Sequence, residues 1–129
     1  MAEPTITERL IRKYAVMTTD QTMIEKLKAK TPSAWHCRVV TDLEQLGEWH
    51  EVLLHRFLLL DLDEIDAFDP IDVIHILRRE FQINIGVFCF GGDDDIQDEM
   101  RLARADRFFG REEMAERLPE FIRQYDWGE

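Results

Sequence analysis

Residues 57–61, Phe57-Leu58-Leu59-Leu60-Asp61, form the most apolar stretch of the chain and end in a carboxylate. Four consecutive large apolar residues predict a strand that is buried on both faces, as the central strands of parallel sheets are. In open α/β proteins the chemistry or the ligand is found beyond the carboxyl ends of such strands. Asp61 is therefore predicted to lie at a functional crevice.

Strand-like runs recur along the rest of the chain. Short apolar or β-branched segments bounded by turn residues predict strands, and each is followed here by a helical pattern. The five predicted strands are Tyr14–Met17, Trp35–Val40, Phe57–Leu60, Ile83–Phe90 and Arg107–Phe109.

The first two helical patterns follow the first two strands. Thr22–Lys30 is expected to stop at Thr31-Pro32, because a residue before proline disfavours the helical conformation. Asp42 is a predicted N-cap of the second helix, which Gly47 weakens. The residues predicted to face inward are Met23, Ile24 and Leu27 in the first helix and Leu43, Leu46, Trp49 and Leu53 in the second.

Three more helical patterns complete the series. Asp69-Pro70 is a predicted N-cap and first-turn pair, and acidic residues 93–95 are expected to cap the next helix after the turn at Gly91-Gly92. The last helix runs from about Glu112 to Tyr125, and Pro119 is expected to end or kink it. The inward residues of the first two are predicted to be Ile71, Ile74, Leu77, Ile96, Met100, Leu102 and Ala103.

Five alternating strand and helix units predict one α/β domain over residues 1–129, with residues 1–12 as an N-terminal extension or short helix. The fold class is a five-stranded parallel sheet, doubly wound, with helices on both faces and right-handed crossovers. The expected strand order is 2-1-3-4-5, as in flavodoxin-like proteins. This order places Asp61 on the crevice between the first and third strands.

Charge and composition restrict the classes of partner. Asp and Glu outnumber Lys and Arg by 27 to 16, so the formal net charge is −11. This charge repels phosphate backbones and anionic lipids, which excludes nucleic acid and membrane surfaces as expected partners and favours a protein partner. No apolar run approaches the roughly 20 residues needed to cross a bilayer. Residues 1–12 lack the apolar core of a secretory signal, so a cytoplasmic location with reduced Cys37 and Cys89 is expected.

The chain resembles the receiver domain of two-component response regulators over essentially its full length. Receivers end their third strand with a phosphoacceptor aspartate after an apolar run, and Leu58-Leu59-Leu60-Asp61 matches that position. They also carry an AGADG-like turn before the fifth strand, and residues 103–108, Ala-Arg-Ala-Asp-Arg-Phe, are similar to it. The resemblance implies the receiver fold and a signalling role.

The residues that support phosphorylation in that family differ in this sequence. The family's acidic pair after the first strand, which holds Mg²⁺, is replaced by Thr18 and Thr19, and Asp20 stands one residue late at a helix N-cap position. Hydroxyls attract a dication far less than carboxylates do. The resemblance therefore implies weak magnesium binding.

Three further family positions are also substituted. The lysine after the fifth strand aligns with Arg111, and the hydroxyl residue of the fourth strand aligns with Cys89, or with Gly91 if the loop is shifted. The switch aromatic aligns with Phe108, which has no phenol. Arginine keeps the positive charge, so we predict that Arg111 pairs with Asp61 in the crevice.

These substitutions indicate a non-enzymatic pseudo-receiver that acts by protein–protein interaction, with no cofactor. Asp61 is the phosphoacceptor equivalent, with Thr18, Thr19, Asp20, Asp63, Cys89 and Arg111 as its neighbours. The resemblance implies a contact face for a protein partner or a second copy of the chain. That predicted interaction face comprises Met100, Arg104, Arg107, Phe108, Glu113 and Arg117.

The sequence is compatible with three alternatives. A true phosphoacceptor would use Asp61 and Mg²⁺, with Asp20 or Asp63 restoring the metal site and Arg111 replacing lysine. Residues 61–64, Asp-Leu-Asp-Glu, also resemble the first motif of haloacid-dehalogenase phosphatases, which would need a downstream lysine that the sequence lacks. The acidic residues 61–66 could gather a cation or form a solvated loop.

Overall fold

The computed structural model describes residues 6–127. Residues 1–5 of the predicted N-terminal extension lie outside the described residues. The strands are β1 (Lys13–Met17), β2 (His36–Val40), β3 (Phe57–Asp61), β4 (Gly86–Phe90) and β5 (Arg107–Phe109). The α-helices are α1 (Ile6–Leu10), α2 (Gln21–Ala29), α3 (Trp49–Val52), α4 (Pro70–His75), α5 (Asp94–Leu102) and α6 (Met114–Gln124). A 3-10 segment spans Leu43–Leu46, and a π segment spans Ile76–Glu80.

The strands form one parallel sheet in the order β2-β1-β3-β4-β5, which confirms the predicted order. The central strand β3 pairs with β1, where Leu59 lies opposite Val16, and with β4, where Asp61 lies opposite Phe90. Every residue of β3 is buried. Asp61 is thus the last residue of the strand rather than the first residue after it.

Alternate side chains of β3 enter two separate cores. Phe57 and Leu59 pack in a core with residues of α2 and α6, whereas Leu58 and Leu60 pack in a core with residues of α3, α4 and α5. This alternation is the two-residue period of a strand. The predicted arrangement, with helices on both faces of the sheet, is therefore confirmed.

Aspartate N-caps begin three of the helices that follow strands. Asp20 accepts hydrogen bonds from the backbone N–H groups of residues 22 and 23, Asp69 from that of residue 71, and Asp93 from that of residue 96. Pro70 occupies the first turn of α4, where a missing N–H has no cost. These caps fix the loops at the carboxyl ends of β1, β3 and β4.

The predicted single helix after β2 is wrong. Asp42 does cap a helical turn, but that turn ends at Gly47, whose φ of +99° is in the left-handed region. The chain then restarts as the short helix α3. Because the direction changes at Gly47, Trp49 and Leu53 are exposed rather than buried.

Three further predictions needed correction. The predicted strand Ile83–Phe90 begins only at Gly86, since residues 83–85 are outside the ladder although Ile83 and Ile85 are buried. Leu102, at the end of α5, is 87% exposed and does not belong to an apolar stripe. Pro119 does not end the last helix, since α6 continues to Gln124.

Packing explains the continuity of α6. Leu118, Phe121 and Ile122, on both sides of Pro119, are buried against the sheet, and tertiary packing of this kind outweighs local propensity. Phe88 and Phe121 stack with a centroid separation of 4.5 Å. In residues 6–127, no helix has the length and apolar character required to cross a membrane.

Candidate functional site

Asp61 lies at the carboxyl end of β3 and is only 3% exposed. Its Oδ2 accepts a hydrogen bond from the Thr18 hydroxyl at 2.7 Å, and its Oδ1 accepts one from the Asp63 N–H at 2.9 Å. Arg111 donates to both oxygens as well. The carboxylate is therefore fully hydrogen-bonded within the protein, as a buried charge must be.

Arg111, from the turn between β5 and α6, provides the positive charge of the site. Its Nη1 donates to Asp61 Oδ1 at 2.8 Å, and its Nη2 donates to Asp61 Oδ2 at 3.0 Å. This is the two-pronged geometry in which guanidinium and carboxylate bind most strongly. The guanidinium also lies over the ring of Phe90, 5.2 Å from its centroid.

Two more carboxylates contact the same guanidinium. Arg111 Nη1 donates to Asp63 Oδ2 at 3.0 Å, and Nη2 donates to Asp20 Oδ2 at 2.7 Å. The hydrogen bonds to Asp61 and then Asp20 raise the pKa of Arg111, although burial opposes this. The hydrogen bond from Arg111 lowers the pKa of Asp20, helped by the backbone N–H groups that Asp20 caps. One cation thus holds three carboxylates together, and the site keeps a net negative charge.

The Gly91-Gly92 turn positions Asp63 in this cluster. Gly92 N–H donates to Asp63 Oδ1 at 2.9 Å. Gly91 has a φ of +75°, and a Cβ placed there would lie 2.1 Å from Asp63 Oδ2. Only glycine therefore allows Asp63 to reach Arg111 without displacement.

The acidic loop after β3 is ordered by the side chain of Glu64. Glu64 Oε2 accepts hydrogen bonds from the backbone N–H groups of residues 65–67, and Oε1 accepts one from the Thr19 hydroxyl at 2.5 Å. These bonds, with that of Thr19 first, lower the pKa of Glu64 to about 2. The loop is therefore held by hydrogen bonds between its own backbone and the Glu64 side chain.

The cluster around Asp61 does not fit a divalent cation. Arg111 forms ion pairs with the carboxylates of Asp20, Asp61 and Asp63. A dication bound by these carboxylates would lie next to the guanidinium, whose positive charge would repel it. Within residues 6–127, no group of three or more His, Cys, Asp or Glu side chains is arranged to hold a metal. These carboxylates therefore lack the free oxygens that a magnesium ion would need.

Comparisons with known proteins agree with this architecture. No protein-family model matches the sequence, and no curated protein matches it. Among solved structures, the chain is similar to a response regulator signal receiver domain from Bermanella marisrubri, with a TM-score of 0.69 and 18% identity over 88% of this chain and 96% of that chain. A CheY-like protein (tadZ) from Pseudomonas aeruginosa PAO1 gives a TM-score of 0.68 and 18% identity over 88% of this chain and 98% of that one.

The chain has the fold of a response-regulator receiver domain. A third structure, the signal receiver domain of the DNA binding response regulator protein (merR) from Colwellia psychrerythraea 34H, has a TM-score of 0.65 and 16% identity. It covers 88% of this chain and 96% of that chain. Identities of this size show the shared fold alone.

Within this receiver fold, five of the seven predicted site residues lie together in one network: Thr18, Asp20, Asp61, Asp63 and Arg111. Thr19 is next to it and contacts Glu64 instead. Cys89 does not join them, because its side chain lies in the core shared with Leu60, on the opposite face of the sheet. Burial raises the pKa of that thiol to about 12.

The predicted interaction face of the receiver fold needs one correction. Met100 is 0% exposed and belongs to the core beneath α5, so it cannot contact a partner. Phe108 is half-buried under the Arg101 guanidinium, 4.7 Å from the ring centroid. Arg104, Arg107 and Glu113 are exposed, and Arg117 is partly so. The remaining face is thus mostly charged.

Sequence reasoning missed three contributors to the site. Phe90 supports Arg111, Gly91 admits Asp63, and Glu64 orders the loop. The Gly91-Gly92 pair after a strand was a signal for an unusual backbone, but not for the side chain that it accommodates. A glutamate that accepts three consecutive backbone N–H groups has no distinctive spacing, so no sequence signal identified Glu64.

Proposed function

We propose that this protein is a signalling domain of the receiver fold that binds a protein partner without magnesium-dependent phosphorylation of Asp61. One observation carries this proposal: Arg111 donates to both carboxylate oxygens of Asp61, which is 3% exposed. Arg111 supplies from inside the chain the positive charge that a metal and a lysine supply in the receiver family. The domain is therefore held in one state.

Phosphoryl transfer to a carboxylate needs a free oxygen in line with the phosphorus and cations that stabilise the transferring group. Here Thr18, Asp63 N–H and Arg111 all bind the two oxygens of Asp61. An attacking oxygen would have to give up at least one charge-assisted hydrogen bond. Asp20 and Asp63 would also repel the incoming phosphate. No catalytic residue and no cofactor belong to this proposal.

The proposed partner is a protein, or a second copy of this chain. The net charge of −11 repels phosphate backbones and anionic lipids, which favours a protein as the partner. On the face around β5, Arg104, Arg107, Phe108, Glu113 and Arg117 remain as candidate contacts, since Met100 is buried. Both charge signs beside an aromatic ring suit a self-complementary dimer as well as a foreign partner.

The test is intact-mass measurement after incubation with Mg²⁺ and a small acyl phosphate. We expect no phosphoryl addition to the wild-type chain, and the same result for Asp61→Asn. An intact receiver domain that is treated in parallel shows that the donor is active.

A phosphoacceptor is the second candidate, because Asp20 and Asp63 do converge on Asp61 through Arg111. In this alternative the carboxylates would bind a metal after Arg111 moves away. A mass increase that depends on Mg²⁺ and disappears in Asp61→Asn would establish it and reject the proposal above.

A further inference from the structure

A cavity of about 1000 Å³ lies at the amino end of the sheet. Arg56 precedes β3, Gly86 begins β4 and Arg107 begins β5, and all three line it. Because Asp61 is the last residue of β3, this cavity lies at the end of the sheet opposite the Asp61 crevice. Trp49, Tyr125 and Trp127 form aromatic parts of its wall.

Arg56 is the unusual residue of this wall. It is 6% exposed, and its guanidinium donates to the carbonyl oxygens of Tyr125 at 2.7 Å, Trp127 at 3.0 Å and Leu10 at 3.1 Å. Its Nε is buried and has no hydrogen-bond partner among the described residues. A buried charge is normally paired with an opposite charge. Within residues 6–127, Arg56 forms no ion pair, and the nearby Asp126 is engaged by Arg12.

The cavity wall carries the opposite charge sign to the protein as a whole. Arg9, Arg56 and Arg107 line it. Among the described lining residues, Asp106 is the only carboxylate, and it is already bound by Arg78 at 2.9 Å and by the Val87 N–H at 2.8 Å. In a chain with a net charge of −11, this local excess of arginine attracts an anion.

Two indoles at this cavity remain open to solvent. Trp49 and Trp127 are each 50% exposed. Trp127 covers one face of the Arg56 guanidinium, 3.3 Å from its ring centroid. A volume of this size, apolar and aromatic walls and a few placed polar groups are the features of small-molecule sites. The aromatic surfaces suit a flat ring system.

We propose that this cavity binds an anionic aromatic small molecule, whose ring lies against Trp49 and Trp127 and whose negative group is attracted by Arg56 and Arg107. The inference does not depend on the state of Asp61. It gives the domain a ligand-binding site at the end of the sheet opposite the Asp61 crevice.

The charge requirement is tested by fluorescence titration of the full chain with two matched probes. 8-Anilinonaphthalene-1-sulfonate is an aromatic anion, and N-phenyl-1-naphthylamine has the same rings without the sulfonate. We expect the anion to bind about tenfold more tightly or better, because the arginines of the cavity wall attract its sulfonate. Equal affinities, or no binding of either probe, would overturn the proposal.

Variants place the binding at this cavity. Arg107→Gln should weaken the anion several-fold and leave the neutral probe unchanged, whereas the exposed Arg123→Gln removes the same charge outside the cavity and should change neither. Arg56→Gln should abolish the preference for the anion. Because Arg56 also binds three carbonyls, its variant is interpreted only if its near-ultraviolet circular dichroism is native, and otherwise Arg107→Gln decides. Equal losses in Arg107→Gln and Arg123→Gln would contradict the site.

Nuclear magnetic resonance locates the ring. Addition of the sulfonate should shift the indole N–H signals of Trp49 and Trp127, which Trp49→Ala and Trp127→Ala assign. Shifts confined to other parts of the chain would overturn the proposal. Sedimentation that shows a dimer lost in Trp49→Ala, without sulfonate binding, would assign this surface to a second copy and also overturn it.

Discussion

Arg111 is in contact with three carboxylates and an aromatic ring, and its environment explains why a lysine would not replace it. Its two terminal nitrogens donate to Asp20, Asp61 and Asp63 together. A planar fork of donors can bind several acceptors in fixed directions, whereas an ammonium group acts as a compact point charge. Arg111 is therefore the residue that organises the site.

Substitution of Gly91 should destabilise the protein. Gly91→Ala should lower the free energy of unfolding by about 1 to 3 kcal/mol, because its φ of +75° is unfavourable for alanine and the new Cβ would displace Asp63. Urea unfolding of both proteins measures this loss. Gly110→Ala is the matched control, since a Cβ there meets nothing closer than 3.5 Å. Similar values for the two variants would contradict both the left-handed backbone at Gly91 and its close contact with Asp63.

His55 predicts a dependence of stability on pH. Burial, with the positive charge of Lys13, lowers the pKa of His55 from 6.5 to about 4. Between these two pH values the unfolded chain binds a proton that the folded chain does not. The free energy of unfolding should therefore fall as the pH decreases from 6.5 to about 4, by on the order of 3 kcal/mol from this residue.

Denaturation curves at several pH values measure this slope. His55→Gln should flatten it across the same window, while the exposed His36→Gln should leave it unchanged. An unchanged slope in His55→Gln would mean that the histidine is not buried in its neutral form.

How much of the site could be predicted from the sequence follows from the same residues. The contact of Asp61 with Arg111 could be predicted, because strand order and family layout bring the carboxyl ends of β3 and β5 to one crevice. The inclusion of Asp63 could not be assigned in detail, since it depends on the backbone at Gly91. Cys89 was misplaced because the alternation of side chains along β4 turns it into the core.

At the scale of elements, the central strand β3 connects the two cores of the protein. Its side chains alternate between the layer of α2 and α6 and the layer of α4 and α5. Phe57 stacks on Tyr14 of β1 with a centroid separation of 5.0 Å. A strand that is buried on both faces holds its last residue, Asp61, in a fixed position.

Leu59→Ala tests the burial of this strand. Leu59 is 0% exposed, so its truncation should leave a cavity and lower the free energy of unfolding by about 2 to 5 kcal/mol. Leu102→Ala is the control on an exposed leucine, and its effect should stay within about 0.5 kcal/mol. A loss below about 1 kcal/mol for Leu59→Ala would contradict the packing described for β3.

The elements differed in how well the sequence defined them. The strands β3 and β5 could be placed because apolar runs and turns bound them closely. The region after β2 was predicted as one helix since the spacing of Leu43 and Leu46 fits a helix, yet the left-handed backbone of Gly47 breaks it. Conversely, Pro119 is a signal for the end of a helix, yet tertiary packing keeps α6 helical on both sides of it. Local signals fail where a single backbone angle or a distant contact decides.

The two ends of the parallel sheet differ in charge and in shape. At the carboxyl ends of the strands, Arg111 forms ion pairs with a cluster of three carboxylates. At the amino ends lies a cavity lined by arginines and aromatic residues. We propose that the Arg111 cluster holds the domain in one state and that the cavity binds a ligand. If the two sites act independently, Arg111 variants should leave the affinity of the cavity for the sulfonate unchanged. A change in that affinity would show that the two sites are coupled.

We propose that Arg111 holds Asp61 in one bound state, and a double-mutant cycle measures the strength of this contact. The measurement is the coupling free energy from urea unfolding of the wild type, Asp61→Asn, Arg111→Gln and the double variant. Because Asp61 is buried and bound in two places, we expect a coupling above the roughly 0.2 to 1 kcal/mol of exposed pairs. Arg111→Gln should also destabilise more than Asp61→Asn, since it leaves three carboxylates without their cation. A coupling near zero would contradict this proposal.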